Sequence, residues 1–290
     1  GIGRALAEKF TSEGMKVVIA DVVPELVEKT TQELRDEGRE VTGVVTDVTS
    51  LESVEALRDA TLEAYGAVHV VCNNAGIGSG SEGRIWDHHI NDWRWSFDVN
   101  VLGVVNGIHV FVPTMLAQDE WGHVVNTTSG NGGFTPLINS AIYAATKASV
   151  TTITECLWGQ LREVGAKVSA SLLYPSTRTR GVLNTGIWRP GANRPAKYDR
   201  PGAPPKEGRD SLGMFMKRME EVGLQVEFAP LSEVADICFE GIMNDTFWIN
   251  VPNDEQSAKI RARAESQIAM TPPEYLLEVN LMTGKEAGKA

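Results

Sequence analysis

The sequence predicts an α/β fold in which helices cover both faces of a parallel sheet. The first observation is a set of short, nearly continuous apolar runs, the pattern of strands that are buried on both faces. The second is that amphipathic segments separate these runs, and such alternation is typical of a doubly wound sheet. The third is the length of 290 residues, which suits one large α/β domain.

The apolar runs and the segments between them define the predicted elements. The predicted strands are residues 16–20, 41–46, 68–73, 123–128, 168–173 and 247–251. The predicted helices are residues 4–13, 24–37, 50–65, 93–116, 140–164, 211–222, 232–243 and 253–270. Pro24 suits a first helical turn, Ser50 a helix N-cap and Gly66 a helix stop. Parallel crossovers bring the carboxyl ends of the strands to one edge, where a ligand is expected.

Composition excludes several classes of protein. A formal net charge of −11 argues against broad nucleic-acid binding, which needs a basic face. We find no continuous apolar run of about 18 residues and expect no transmembrane helix. Three cysteines outside any C-x-x-C motif indicate buried, reduced thiols and a cytoplasmic location. The histidines lack metal-ligand spacing, and no metal is expected.

Residues 177–225 interrupt the alternation and are rich in Pro and Gly. Connections longer than about 15 residues are usually functional lids or disordered segments. We therefore expect one domain over 1–290, with a substrate lid at about 177–225 and a C-terminal helix and tail at about 253–290. Apolar side chains of this lid could form a substrate wall: Trp188, Met214, Phe215, Met216 and Met219. Alternatively, they pack the lid onto the body or onto another subunit.

A nucleotide site is indicated at the start of the chain. The tripeptide Gly1-Ile2-Gly3 precedes the first predicted helix, so backbone N–H groups can approach a pyrophosphate at its N-terminus. Asp21 ends the next strand, where a carboxylate binds adenosine ribose hydroxyls and repels a 2′-phosphate. Val22, not a cation, follows it, and NAD is therefore favoured over NADP. The alternative is that the glycines form only a turn and Asp21 only caps the next helix.

Tyr143 and Lys147 stand four residues apart near the start of a predicted helix and so share one helix face. A Lys ammonium near a Tyr hydroxyl favours the phenolate and lowers a pKa that is otherwise about 10. Tyr143 would then serve as a general acid or base near neutral pH. The alternative for this pair alone is a surface contact.

Further motifs surround this pair in a characteristic order. Asn73-Asn74-Ala75-Gly76 follows one strand, Asn100 lies within a helix, and Ser129 follows the next strand. With Tyr143-x-x-x-Lys147, these motifs make residues 1–180 resemble the short-chain dehydrogenase/reductase family. The resemblance implies a Rossmann-like, doubly wound sheet in three α/β/α layers. It also implies an NAD-dependent alcohol dehydrogenase or ketone reductase that forms a homodimer or homotetramer.

The resemblance also implies roles for individual residues. Tyr143 would be the general acid/base, Lys147 would lower its pKa and bind the nicotinamide ribose, Ser129 would hold the substrate oxygen, and Asn100 would support a proton-relay water. Residues that would contact the cofactor are Gly1, Ile2, Gly3, Asp21, Val22, Asp47, Val48, Asn74, Ala75, Gly76, Tyr143, Lys147, Pro175 and Thr179. For Asp47, helix capping is an equal alternative.

Several features depart from the family pattern. The first strand and the start of the Gly-rich turn are missing, so we expect this chain to lack a central strand. Ser176 replaces the usual Gly after Pro175, and the spacing from Ser129 to Tyr143 is one residue longer than expected. The substrate is expected to be a bulky, mostly apolar secondary alcohol or ketone. Two other functions stay open: an NADP(H)-dependent carbonyl reductase and a non-catalytic NAD(H) sensor.

Overall fold

The computed structural model describes residues 1–78, 83–179, 181–189, 191–202, 211–221, 223 and 225–277. The strands within them are β1 (Val17–Asp21), β2 (Val41–Val45), β3 (Val70–Asn73), β4 (Gly122–Thr127), β5 (Val168–Leu173) and β6 (Trp248–Ile249). The helices are α1 (Ile2–Ser12), α2 (Pro24–Asp36), α3 (Leu51–Tyr65), α4 (Ile90–Phe97), α5 (Gly103–Gln118), α6 (Ala141–Glu163), α7 (Ser211–Glu221), α8 (Leu231–Met243) and α9 (Asp254–Ile268).

All of the described strand pairs are parallel. Strands β1 and β2 form a two-stranded sheet, and β3, β4, β5 and β6 form a four-stranded sheet in that order. The register pairs Val124 with Ala170 in the centre of the larger sheet. The predicted parallel sheets flanked by helices are confirmed, and the carboxyl ends of the strands within each sheet lie at one edge.

Helices cover both faces of the larger sheet. Adjacent residues Val124 and Val125 of β4 are both fully buried, and their side chains enter different apolar clusters. The cluster around Val125 contains side chains of α1 and α8, and the cluster around Val124 contains side chains of α3, α5 and α6. Because neighbouring side chains in a strand point to opposite faces, these clusters are the two halves of a three-layer α/β/α core.

The predicted helix ends are confirmed where local chemistry decides them. Pro24 is the first residue of α2. The Ser50 hydroxyl accepts the Ser53 N–H at 3.2 Å, as an N-cap does. Gly66 ends α3 with a φ of 79°, a left-handed conformation that favours glycine. The predicted helix 93–116 instead consists of α4, one π-helical turn over Asp98–Leu102, and α5.

The run Ile90–Gln118 is long and apolar enough to cross a membrane, with a mean hydropathy of 1.6. Half of the 18-residue stretch that has this hydropathy is nevertheless buried within the structure. A core helix packed on a sheet has the same composition, so the run is weak support for a membrane span.

The cysteines are free, but only one is fully buried: Cys238 is buried, Cys72 half-buried and Cys156 exposed. The expectation of buried thiols is therefore wrong for Cys156. The division into one domain with a lid and a C-terminal tail stays a prediction. Part of the expected lid and the tail from 278 onward lie outside the described residues.

Candidate active site

The predicted site residues follow the carboxyl ends of the strands. Asp21 ends β1, Asn74 follows β3, Ser129 follows β4 and Pro175 follows β5. Ligands of doubly wound sheets bind beyond these ends. The larger sheet thus brings Asn74, Ser129 and Pro175 to one edge, with Tyr143 and Lys147 in the first two turns of α6.

Ser129, Tyr143 and Lys147 form the centre of the site. The Ser129 hydroxyl lies near the Tyr143 hydroxyl and interacts with it. Lys147 Nζ lies 5.6 Å from the centroid of the Tyr143 ring. The Ser129 hydroxyl also accepts the Asn131 N–H at 3.2 Å, which fixes its orientation. A hydroxyl donor, a hydroxyl acid/base and a cation therefore converge beyond the end of β4.

The pKa values of this pair differ from the sequence-based expectation. Burial raises the pKa of Tyr143 to about 12, and its interaction with Ser129 only partly offsets this. Burial lowers the pKa of Lys147 to about 8. The expected lowering of the tyrosine pKa by Lys147 is wrong here, because desolvation favours the neutral form of both groups. At neutral pH the Tyr143 hydroxyl is therefore protonated.

The Lys147 ammonium is held at the end of β4. Its Nζ donates to the carbonyl oxygen of Thr127 at 2.9 Å. An ammonium has three N–H donors, so this bond leaves two for other acceptors. A Cβ placed on Gly76 would lie 3.4 Å from Lys147 Nζ and 3.4 Å from Asn100 Oδ1. The loop after β3 therefore passes close to the lysine.

Asn100 fixes that loop from the π-helical turn. Its side-chain oxygen accepts the Ile77 N–H at 2.8 Å, and its Nδ2 donates to Ile77 O at 3.0 Å and to Thr146 Oγ1 at 3.1 Å. π-Helical turns are frequent at functional sites because they redirect a side chain. Asn100 thus connects the loop after β3 to the helix that carries Tyr143 and Lys147. Its expected role with a relay water stays a prediction.

The other end of the site begins at the N-terminus of α1. Gly1 is the N-cap of this helix, and no acidic residue stands in its first turn. A Cβ on Gly3 would approach the side-chain nitrogen of Asn74 to 3.1 Å, so α1 and the loop after β3 are in close contact. Backbone N–H groups of a first helical turn lack intrahelical partners and favour anions.

Asp21 and Val22 are both exposed at the end of β1. One Asp21 oxygen accepts the Val23 N–H at 3.0 Å, and Val23, not Asp21, is the N-cap of α2. The nearby cation Arg4 is bound by two carboxylates, those of Glu8 at 2.7 Å and Glu33 at 2.5 Å. The position of Asp21 is thus open to a ribose.

Asp47 and Val48 form a tight turn before α3. One Asp47 oxygen accepts the Thr49 N–H at 2.9 Å, while Ser50 rather than Asp47 caps the helix. The Val48 carbonyl accepts Nδ2 of Asn106 at 2.8 Å. These bonds fix the turn against α5, and a contact with adenine stays a prediction.

Thr179 is placed differently from the expectation. Its hydroxyl and its backbone N–H both donate to the carboxylate of Glu233, in the first turn of α8; the backbone bond is 2.9 Å. The expected contact of Thr179 with a carboxamide therefore competes with Glu233. Ser176, the departure beside Pro175, accepts the Val251 N–H at 2.9 Å and ties this segment to the chain after β6.

Part of the expected lid is firmly anchored to α4. The Arg194 and Asp92 side chains form a buried ion pair of 2.7 Å, in which they are 5% and 2% exposed. The Tyr198 hydroxyl donates to Asp98 in the π-helical turn. Buried pairs hold a segment because breaking one leaves an unpaired charge. Residues 194–198 are thus a fixed part of the structure.

The expected apolar wall is only partly assembled. The rings of Trp188 and Phe215 lie 5.4 Å apart, and Met219 is buried. Met214 and Met216 are exposed. The substrate wall and the packing onto the body or another subunit both stay predictions.

The residues fit a dinucleotide with a nicotinamide. A helix N-terminus with no acid in its first turn suits the pyrophosphate. An exposed carboxylate suits the adenosine ribose, and the free donors of Lys147 suit a second ribose. Within the described ranges, no group of three or more His, Cys, Asp or Glu side chains could hold a metal ion. The expectation of no metal stays a prediction.

Sequence reasoning missed the groups that hold the catalytic side chains in place. The Thr127 carbonyl binds Lys147, and Ile77 and Thr146 bind Asn100. The turn Gly130–Phe134 follows Ser129. The Gly-Asn-Gly-Gly sequence after Ser129 was a usable signal, because clustered glycines indicate a turn that side chains would obstruct.

Comparison with known proteins finds relatives over most of the chain. The model of the short chain dehydrogenase family matches residues 1–184. The CLA biosynthesis dehydrogenase/reductase of Lactiplantibacillus plantarum is 27% identical over 286 residues, which is 98% of this chain and 94% of that protein. An uncharacterized oxidoreductase of Staphylococcus aureus is 36% identical over 170 residues, 59% of this chain and 71% of the relative.

Solved structures show the same architecture. A short chain dehydrogenase/reductase from Burkholderia phymatum in complex with NAD is 39% identical, with a TM-score of 0.81 over 94% of this chain and 92% of that one. A variant of actinorhodin polyketide ketoreductase with NADPH is 25% identical, with a TM-score of 0.68 over 87% and 91% of the two chains. Both nicotinamide cofactors therefore occur among structures similar to this chain.

Proposed function

The chain belongs to the short-chain dehydrogenase/reductase family, and from this premise we propose that it transfers a hydride between NAD(H) and a secondary alcohol or ketone. The single observation that carries the proposal is the convergence of Ser129, Tyr143 and Lys147 beyond the end of β4. Family membership itself makes the chain an oxidoreductase with an NAD(P)-binding Rossmann fold.

In the proposed reaction, Tyr143 exchanges a proton with the substrate oxygen. When bound, the nicotinamide ring supplies or accepts the hydride. Ser129 donates a hydrogen bond to the substrate oxygen, and Lys147 adds positive charge and binds ribose hydroxyls. Because the pKa of Tyr143 is raised to about 12, its hydroxyl is a proton donor at neutral pH, which suits ketone reduction. Alcohol oxidation needs the phenolate and is expected to accelerate as the pH rises.

NAD is the proposed cofactor rather than NADP. The exposed carboxylate of Asp21 can accept hydrogen bonds from ribose hydroxyls, and it would repel a 2′-phosphate. Arg4, a cation of the same region, already binds Glu8 and Glu33 and is poorly placed to compensate a phosphate. The 39% identical structure from Burkholderia phymatum contains NAD.

The proposed substrate is bulky and mostly apolar. Support comes from Trp188 and Phe215, which pack together in the segment after Pro175, and from the anchored residues 194–198, which hold that segment near α4. Each additional CH₂ that enters such a wall contributes about 0.8 kcal/mol, so a six-carbon increase can raise kcat/KM by several powers of ten.

A screen of secondary alcohols and ketones with NAD(H) and NADP(H), followed by absorbance at the nicotinamide band, tests the function. We expect turnover with NAD(H) and a steep rise in kcat/KM from 2-propanol to cyclic and polycyclic alcohols. Faster turnover with NADP(H) would indicate the carbonyl reductase alternative. Cofactor binding without turnover of any substrate would indicate the sensor. A flat size profile would show that the apolar segment does not contact substrate.

We also propose a homodimer or homotetramer. Val105 and Leu116 of α5 and Trp158 of α6 are exposed at 37%, 40% and 39%. Apolar side chains on two long helices that already contribute to the core suit a further, intermolecular contact. Light scattering should give a multiple of the 31.5 kDa chain mass, and a monomer at micromolar concentration would contradict this proposal. A cytoplasmic location stays a prediction.

A further inference from the structure

The C-terminal helix α9 contacts the turn that follows Ser129. The Arg263 guanidinium donates to the carbonyl oxygen of Phe134 at 2.7 Å. Gln256, in the first turn of α9, lies beside Gly130. A Cβ placed on Gly130 would be 3.4 Å from the side-chain nitrogen of Gln256. Both ends of the turn Gly130–Phe134 therefore contact a helix that lies outside the residues matched by the family model.

The turn itself is closed on Ser129. The Gly133 N–H donates to the Ser129 carbonyl at 3.0 Å, and the Asn131 N–H donates to the Ser129 hydroxyl at 3.2 Å. The Phe134 ring stacks on the buried ring of Tyr174, with centroids 3.9 Å apart. A displacement of Phe134 would therefore move the groups that orient the Ser129 hydroxyl.

We propose that Arg263 is a positioning residue for the active site, because it binds the turn whose backbone orients the Ser129 hydroxyl. The inference rests on the proposed function, in which Ser129 holds the substrate oxygen. A bond from a charged donor is stronger than a neutral one, and the planar guanidinium directs it. Arg263 thus makes the C-terminal helix part of the catalytic apparatus without contact with substrate.

Arg261 provides a matched control. It lies on the same helix and carries the same charge, but it is exposed, and a separation of two residues places it on a different helix face. Arg263→Met and Arg261→Met therefore each remove one arginine from α9, but only Arg263→Met removes the bond to Phe134. Arg263→Lys restores a cationic donor of similar length.

Kinetics and hydrogen exchange of the purified protein test the proposal. We expect Arg263→Met to lower kcat about 10- to 100-fold, since small misplacements of reacting groups have effects of this size. The Kd of NAD should stay unchanged, Arg263→Lys should recover most of the loss, and Arg261→Met should match the wild type. Amides of residues 129–135 should exchange faster in Arg263→Met alone.

Two results would overturn the inference: equal kcat and equal amide exchange in Arg263→Met and Arg261→Met, or a parallel loss of NAD binding and thermal stability in Arg263→Met. If the wild type turns over no alcohol or ketone, the proposed function fails separately. The amide exchange of residues 129–135 then still decides whether Arg263 holds the turn.

Discussion

Gly132 occupies the most restricted glycine position of the candidate site, and its replacement should disable the enzyme. Its φ is 102°, in a region that L side chains rarely adopt. A Cβ at this position would lie 2.1 Å from the carbonyl oxygen of Ala144, the residue after Tyr143. That oxygen belongs to the backbone of α6, so it cannot move aside as the end of a flexible side chain can.

The cost of Gly132→Ala has two parts. Backbone strain in a sparsely populated region costs about 1–3 kcal/mol, and overpacking adds about 1–3 kcal/mol. Gly165→Ala is the control, because Gly165 also has a positive φ of 65° but no atom within 4 Å of its Cβ position. That control should lose only about 1–2 kcal/mol, the usual cost of a left-handed L residue.

Urea unfolding and steady-state kinetics measure the two effects. Gly132→Ala should lower the free energy of unfolding by about 2–6 kcal/mol, the sum of both parts. It should also lower kcat more than Gly165→Ala does, because the turn that orients Ser129 must move away from α6. A Gly132→Ala variant that is as stable and active as Gly165→Ala would refute the packing described here.

Two further predictions concern the cofactor and pH. Asp21→Ala should weaken NAD binding about 10- to 100-fold, which is the equivalent of one charge-assisted hydrogen bond, and it should weaken NADP binding less. Fluorescence titration with both cofactors measures this, and an unchanged NAD affinity would contradict it. Burial lowers the pKa of His123 from 6.5 to about 4, so the unfolded chain binds a proton that the folded protein rejects, and stability falls as the pH drops from 6.5 to 4. Between pH 7.5 and 5 the wild type should lose about 2 kcal/mol more unfolding free energy than His123→Asn; equal losses in urea titrations would contradict this.

The repeating parts of the fold are predictable from sequence because they depend on local patterns. Residues 168–173 are a mostly apolar run, and strand β5 occupies the same residues. Ser50 and Gly66 bound α3 through bonds to near neighbours. The order of the strand-end motifs likewise predicts which residues meet, since parallel strands bring their carboxyl ends to one edge.

The parts that failed depend on burial and on distant contacts. The separation of Tyr143 and Lys147 predicts a shared face, but it does not reveal that both are desolvated, and the direction of the tyrosine pKa shift was therefore wrong. The π-helical turn at Asp98–Leu102 continues the apolar periodicity of its helix and leaves no local signal. The bond from Arg263 joins residues 129 positions apart, beyond any local pattern.

The Tyr143→Phe variant tests the central claim most directly. Removal of the phenolic oxygen removes the group that exchanges a proton with substrate but leaves the ring and its packing. With the best alcohol from the screen, kcat should fall at least about 100-fold, the lower range for general acid–base catalysis. The Kd of NAD, measured by fluorescence titration in the same preparation, should stay close to that of the wild type. Near-normal turnover in Tyr143→Phe would contradict the proposed role of this site.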